Sequence, residues 1–301
     1  MTVAFSETSQ EKRPVAFSSV YDYVQLLKPR IMCLVVFTAI TGMLIAPEAI
    51  HPLIGLVSIA CISLGSGAAG ALNMWYDSDI DAVMDRTKNR PVPSGRICKE
   101  QALECGMVLS MLSVFVMAIT VNYTSALLLA GSIFFYAVVY TMLLKRRTSQ
   151  NIVIGGIAGA FPPIIGWTSA SGTPSLESLS LFAIIFMWTP PHFWSISLLT
   201  FEEYKKAQVP MLPVHCIQKT RLYILLYSAL LAAVSTSPGL FVKKPMLYEV
   251  LAAGLNAAFI ARAIAVFKEK GQPSHNACMG LFRYSIYYLF LLFAAVTICG
   301  Y

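Results

Sequence analysis

Apolar runs long enough to cross a bilayer recur along nearly the whole chain, and no other feature restricts its fold so much. A helix of about 20 apolar residues spans the hydrocarbon core. Such runs lie at 31–46, 53–76, 105–121, 124–143, 151–170, 178–200, 221–241, 247–267 and 282–300. Inside lipid every backbone N–H and C=O must be satisfied within the segment, so the runs are read as helices. The expected fold is an all-α polytopic membrane protein with nine transmembrane helices. Composition agrees, because only 12% of residues are charged, against about 25% in a soluble domain.

The basic residues orient the spans. With the N-terminus cytoplasmic, nineteen Lys and Arg fall on the cytoplasmic side, only Lys243 and Lys244 fall outside, and Arg262 lies within the eighth run. This is the positive-inside distribution. It accounts for the net charge of +7 without nucleic acid, which is not an expected partner. Membrane lipid is. The seven Cys form no CxxC pair, and Cys33, Cys61, Cys105 and Cys299 lie in or at the edges of apolar runs. Neither a disulfide framework nor a zinc site is indicated. Residues 1–20 carry Glu7, Glu11, Lys12 and Arg13 without an apolar leader. They read as a mobile cytoplasmic tail from which nothing is cleaved, leaving 21–301 as one membrane-embedded domain.

The most informative polar stretch follows the second run. Asn73, Asp77 and Asp81 are spaced four and four, which puts them on one helix face if the helix continues. Neighbouring carboxylates repel unless a cation lies against them. Oxygen ligands of this kind suit Mg²⁺ completed by substrate phosphates and water, and the nearby Arg86, Lys88 and Arg90 suit the phosphates. By spacing alone a solvated loop cap fits as well. Asp79 points off this face. Arg90-Pro-Val-Pro-Ser-Gly95 is turn chemistry that ends the helix.

Three further groups face the same side. Lys28-Pro29-Arg30 stands at the mouth of the first run, and Tyr140 precedes the triplet Lys145-Arg146-Arg147; either basic group serves as a membrane anchor or a phosphate contact. Trp188-Thr-Pro190-Pro191-His192-Phe-Trp194 leads to Glu202-Glu203. A histidine at membrane depth marks a functional site or bonds to a carbonyl freed by the prolines. The Gly-rich faces 65–71 and 155–166 permit close helix packing, and Pro162-Pro163 is expected to kink its helix.

These motifs, taken in order, resemble the intramembrane UbiA-type prenyltransferase superfamily. The carriers are Asn73-x3-Asp77-x3-Asp81, Arg86-Thr-Lys-Asn-Arg90-Pro-x-Pro-Ser-Gly95, Tyr140-Thr-x-Leu-Leu-Lys145-Arg146, and Trp188-Thr-Pro-Pro-His192-Phe-Trp194 with Pro210-Met-Leu-Pro213. The last two groups narrow the resemblance to the haem-modifying branch. It departs from the wider superfamily in two places. Met74 stands where an aspartate usually follows the asparagine, and Pro190-Pro191-His192 with Glu202-Glu203 replaces the usual second aspartate motif.

The resemblance implies a nine-helix intramembrane prenyltransferase domain around a central cavity. It implies farnesyl transfer from farnesyl diphosphate to a vinyl group of haem b with addition of water, giving haem O and diphosphate on the route to the haems of cytochrome oxidase. Asn73, Asp77 and Asp81 would be catalytic and hold Mg²⁺. Arg30, Arg90, Lys145 and Arg146 would bind the diphosphate. Tyr140, Trp188, His192 and Trp194 would contact haem or the prenyl chain, with His192 a candidate for the iron. A downstream haem A synthase is the candidate protein partner, and the bacterial cytoplasmic (inner) membrane the expected location. Two other readings stay open: a phenolic acceptor such as 4-hydroxybenzoate, and a transporter, which would place ionisable groups nearer the membrane midplane.

Overall fold

A computed structural model describes residues 19–300, and every regular element among them is helical. The tail expected over 1–20 lies outside the described residues except for its last two. Of these, Ser19 caps helix α1 (Val20–Leu26) through a capping box with Asp22. A 54° break follows before α2 (Pro29–Leu44). Lys28 fills the break with a left-handed backbone, φ 55°, and Pro29 opens α2, where a missing N–H costs nothing.

The remaining elements are α3 (Pro52–Tyr76), α4 (Ser78–Val83), α5 (Lys99–Thr120), and α6 (Tyr123–Phe134), which continues as a π-helical segment (Phe135–Leu144). Then come α7 (Asn151–Ser171), α8 (Leu176–Ser197), α9 (Phe201–Lys206), α10 (Leu212–His215), α11 (Ile217–Val234), a 3₁₀ turn (Ser237–Leu240), α12 (Pro245–Lys268) and α13 (His275–Gly300). Among the described residues eight helices are long and apolar enough to span, and the bent α1–α2 pair makes a ninth.

Sequential helices pack as neighbours from α2 to α13, and α13 returns to α2 to close the ring. The largest contacts across it are two. α2 lies along α7, and α13 lies along α8. The apolar core has one cluster among α2, α3, α5, α6 and α7, a larger one among α8, α11, α12 and α13 that also takes in Ile80, Met84, Tyr140, Ile152 and Ala160, and a small one around Leu26, Ala71 and Met74. The α2–α7 contact is backbone to backbone. A Cβ on Gly42 would lie 2.0 Å from the Pro163 carbonyl oxygen, and one on Gly166 would lie 1.9 Å from that of Ala39. Only glycine permits this approach.

Both proline pairs lie inside helices that run on past them, Pro162-Pro163 in α7 and Pro190-Pro191 in α8. Neighbouring helices stabilise such segments where a soluble helix would break. The connection between the second and third apolar runs is partly helical, since α4 occupies its start and α5 begins at Lys99. Arg221 is fully buried in the first turns of α11. Its guanidinium donates to the carbonyls of Glu269 and Gly271 at 2.9 and 3.2 Å and fastens the α12–α13 connection.

Candidate active site

The α3 helix ends at Asp77, which is also the residue preceding α4. The helix does not run on unbroken, yet its phase survives the break. Asp77 N–H donates to Asn73 O at 2.9 Å, and Asp81 N–H donates to Asp77 O at 2.8 Å. Asn73, Asp77 and Asp81 therefore stay in line, and all three are buried, Asp77 completely. Met74 is buried in an apolar cluster with Leu26 and Ala71, so the position where an aspartate is usual serves packing here.

Buried carboxylates need compensating charge, and four basic side chains supply it. Lys145 Nζ is hydrogen-bonded to Asp77 Oδ2. Arg90 donates to Asp81 Oδ2 at 2.7 Å. Arg146 lies 3.6 Å from Asp77 Oδ1 and grips Asp79 with two bonds of 2.8 and 2.7 Å. Lys28 donates to Asn73 Oδ1 at 2.8 Å, while Asn73 Nδ2 donates to Asp77 at 2.7 Å and to Thr141 at 3.1 Å. The hydrogen bonds from Arg146 hold the Asp79 carboxyl below the usual carboxylate range and raise the guanidinium in turn.

Local structure explains how these groups converge. The π segment inserts Thr141, whose hydroxyl donates to Tyr136 O at 2.8 Å, and closes with Lys145 N–H on Tyr140 O at 2.9 Å. This five-residue register presents Thr141 and Lys145 together to the end of α3; π-helical turns recur at functional sites. Tyr140 lies in a notch at Gly155, where an added Cβ would come within 2.3 Å of its ring. Gly67 packs closely on Leu27, where an added Cβ would lie 3.1 Å from the Leu27 Cβ. The loop after α4 folds back through Thr87, which donates to Asp81 O at 2.9 Å. Arg96 ties that loop to α1, donating to Asp22 and Gln25 at 2.7 and 2.9 Å and to Asn89 O at 3.0 Å. From the far side α9 brings Tyr204, which is buried. Burial raises its hydroxyl pKa, and the Arg86 charge works against that rise.

The donor set fits Mg²⁺ with substrate phosphates. Asp77 Oδ1 is buried without a hydrogen-bond partner, and Asp77 and Asp81 are hard oxygen ligands. Among the described residues no three His, Cys, Asp or Glu converge, a donor set that suits a metal ion shared with substrate phosphates. Asn73 Oδ1 is engaged by Lys28, so its use as a ligand requires Lys28 to turn away.

The other candidates divide. Arg30 is exposed and bonds to nothing in the row; Lys28, two residues earlier, is the one that reaches it. Trp188 and His192 sit at the α8–α13 contact, their rings stacked at 4.1 Å. Trp194, fully buried, points elsewhere, against Tyr223 and Tyr227 of α11. Glu203 has a buried carboxylate oxygen without a partner. Thr141, Arg96 and Ser285 are site neighbours that no spacing in the sequence marks, and Lys28 is marked only as part of its basic group.

This charged helix end closing a ring of spans agrees with a family model, UbiA prenyltransferase family, which matches residues 35–286. The chain belongs to the UbiA prenyltransferase family. Among its relatives, protohaem IX farnesyltransferase of Anaplasma marginale (strain Florida) is 79% identical over 99% of both chains. That of Anaplasma phagocytophilum is 66% identical over 95% of this chain and 96% of its own. That of Methylocella silvestris is 49% identical over 98% and 94%. Solved structures share the UbiA fold. A structure described with digeranylgeranylglyceryl phosphate synthase superposes with a TM-score of 0.76 at 17% identity, covering 93% of this chain and 98% of its own. A UbiA homologue from Archaeoglobus fulgidus bound to GPP and Mg²⁺ gives 0.66 at 15% identity, covering 91% and 99%.

Proposed function

We infer that this UbiA-family chain is a protohaem IX farnesyltransferase, a haem O synthase. It transfers the farnesyl group of farnesyl diphosphate to a vinyl group of haem b, with addition of water. The observation that carries this reading is the 79% identity, over 99% of the chain, to a relative of that name. The site supports it, because buried carboxylates matched by basic side chains form a site for a metal-bound diphosphate.

Magnesium, when bound, neutralises the diphosphate and makes it a better leaving group. Asp77 and Asp81 would hold it, and Asn73 would join them once Lys28 moves. Arg90, Lys145 and Arg146 would turn from the carboxylates, and Lys28 from the Asn73 amide oxygen, to the phosphate oxygens, so that positive charge is in place where negative charge develops. The C1–O bond of the farnesyl diphosphate breaks, and its electron pair leaves with the diphosphate. The terminal vinyl carbon bonds to C1, and water adds to the vinyl carbon next to the porphyrin with loss of a proton. The loop from Arg86 to Arg96 and helix α9 cover the row and keep bulk water from the allylic cation. Trp188 and His192 are assigned to haem and Tyr140 to the prenyl side. Trp194, called a haem contact from sequence, acts through packing α8 on α11.

The enzyme is assigned to the bacterial cytoplasmic (inner) membrane with the charged end cytoplasmic. A downstream haem A synthase would consume the product. The reading is tested by diphosphate release from membranes supplied with farnesyl diphosphate. Release that requires both Mg²⁺ and haem b supports it. Release driven by 4-hydroxybenzoate and not by haem b would move the chain to the phenol-accepting branch.

A further inference from the structure

Helix α8 delivers His192 to α13 in a setting that fixes the imidazole in position, orientation and tautomer. Its ring is stacked between Trp188, with centroids 4.1 Å apart and planes 16° apart, and Phe282, at 4.9 Å and 23°. The ring cannot rotate about its own axis without leaving this stack. Its Nδ1 lies 2.6 Å from Ser285 Oγ. Ser285 is fully buried, and its backbone carbonyl accepts the Trp188 indole N–H at 2.7 Å. The same serine thus braces both the tryptophan and the histidine.

The proton on this contact can be placed by counting donors. A serine hydroxyl carries one hydrogen. Ser285 Oγ lies 2.6 Å from Phe282 O, and a carbonyl oxygen can only accept. The hydroxyl hydrogen is therefore committed to Phe282. Toward His192 the serine oxygen must accept, so Nδ1 carries the proton and Nε2 carries the lone pair. Nε2 makes no hydrogen bond within the described protein. A neutral imidazole whose Nδ1–H is held by an oxygen acceptor and whose Nε2 is free is the arrangement found at metal-ligating histidines.

We propose that Ser285 is a positioning residue that locks His192 in the Nδ1–H tautomer, so that Nε2 ligates the iron of the haem substrate. The proposal rests on the reading of haem b as the acceptor. Iron ligation fixes the porphyrin centre relative to α8 and α13, while the diphosphate is fixed at the end of α3. The two substrates are then oriented by different helices of the bundle, and the vinyl group is presented by geometry without a protein base. Ser285 comes 93 residues after His192 and touches no diphosphate-binding group, so its effect should be confined to the haem.

The test is haem binding by the purified full chain in lipid nanodiscs, with ferric haem b as the probe and no farnesyl diphosphate. Soret and electron paramagnetic resonance spectra report a nitrogen ligand on iron. The wild type should show that signature and His192→Ala should lose it. Ser285→Ala should weaken haem binding by about 10-fold or more, the usual effect of losing an outer-shell partner of a ligating histidine. Ser285→Thr, which retains the hydroxyl, should bind as the wild type does. Ser285→Cys, close in size but a poorer acceptor, should fall between and separates the effect from loss of fold. An unchanged spectrum in His192→Ala would overturn iron ligation and leave farnesyl transfer to haem standing. Loss of the signature in His192→Ala, with Ser285→Ala and Ser285→Cys both indistinguishable from wild type, would overturn the role of Ser285 alone.

Discussion

At the scale of the residue, the site is defined by an exchange of partners. Asp77 has one oxygen bonded to Lys145 and Asn73 and the other without a hydrogen bond. A buried carboxylate oxygen left open costs free energy unless a ligand fills it, and this one is the place proposed for a metal. Asp77→Asn should therefore lower turnover by about 100-fold or more, since a metal-held diphosphate contributes several kcal/mol to the transition state. Membrane insertion should be unchanged; steady-state turnover of purified protein, with insertion monitored in parallel, checks both. Lys28 makes the sharper comparison. Its ammonium reaches Asn73 whereas Arg30 is exposed. Removing one hydrogen bond from a charged donor costs about 1.5–3 kcal/mol. Lys28→Met should raise the KM for farnesyl diphosphate about 10-fold or more, while Arg30→Met should leave it nearly unchanged. The opposite order in a KM measurement would restore Arg30 as the phosphate contact. The row itself is legible in the sequence, because its spacing survives the α3–α4 break. Choosing Lys28 over Arg30 is not, because the choice depends on one left-handed residue at a helix junction.

At the scale of the element, two connections set the geometry. The π segment brings Thr141 and Lys145 to α3, and its Tyr140 ring fills the space left by Gly155. Gly155→Ala would force a methyl into that ring, and overpacking of this kind costs about 1–3 kcal/mol. The variant should lose thermal stability and prenyl diphosphate affinity together, measured by a melting curve in detergent and by KM. The second connection is the loop from α4 to α5, tied to α1 by Arg96 on Asp22. Arg96→Asp should open the loop and raise the KM for farnesyl diphosphate several-fold. The exchange Asp22→Arg with Arg96→Asp should recover part of the loss, since such pairs couple by up to about 1 kcal/mol. No recovery in the double variant would assign Arg96 another role. Neither connection is visible in hydropathy. The π register leaves the apolar pattern of 124–143 unchanged, and the Asp22–Arg96 pair joins residues 74 apart.

At the scale of the whole molecule, the two candidate substrate sites lie on different helices joined by one apolar core. The acidic row follows α3, Trp188 and His192 lie on α8, and the largest cluster links them, since it holds Ile80, Met84 and Tyr140 as well as Trp188. Nine spans, their order and the charged end follow from nothing more than apolar runs and the positions of Lys and Arg. Long helices in lipid obey few rules, and hydropathy expresses most of them. What the sequence does not show is which helices cross the ring, because the α2–α7 and α8–α13 contacts depend on glycine notches and single polar bonds between distant residues. Both sites must act together for a product to form, so the most direct measurement is mass spectrometry of haems extracted from membranes containing this chain, after incubation with haem b, farnesyl diphosphate and Mg²⁺. The account predicts a new haem heavier by one farnesyl group and one water, absent when Asp77 is replaced by Asn. Unmodified haem b alone, from membranes that still release diphosphate, would contradict it.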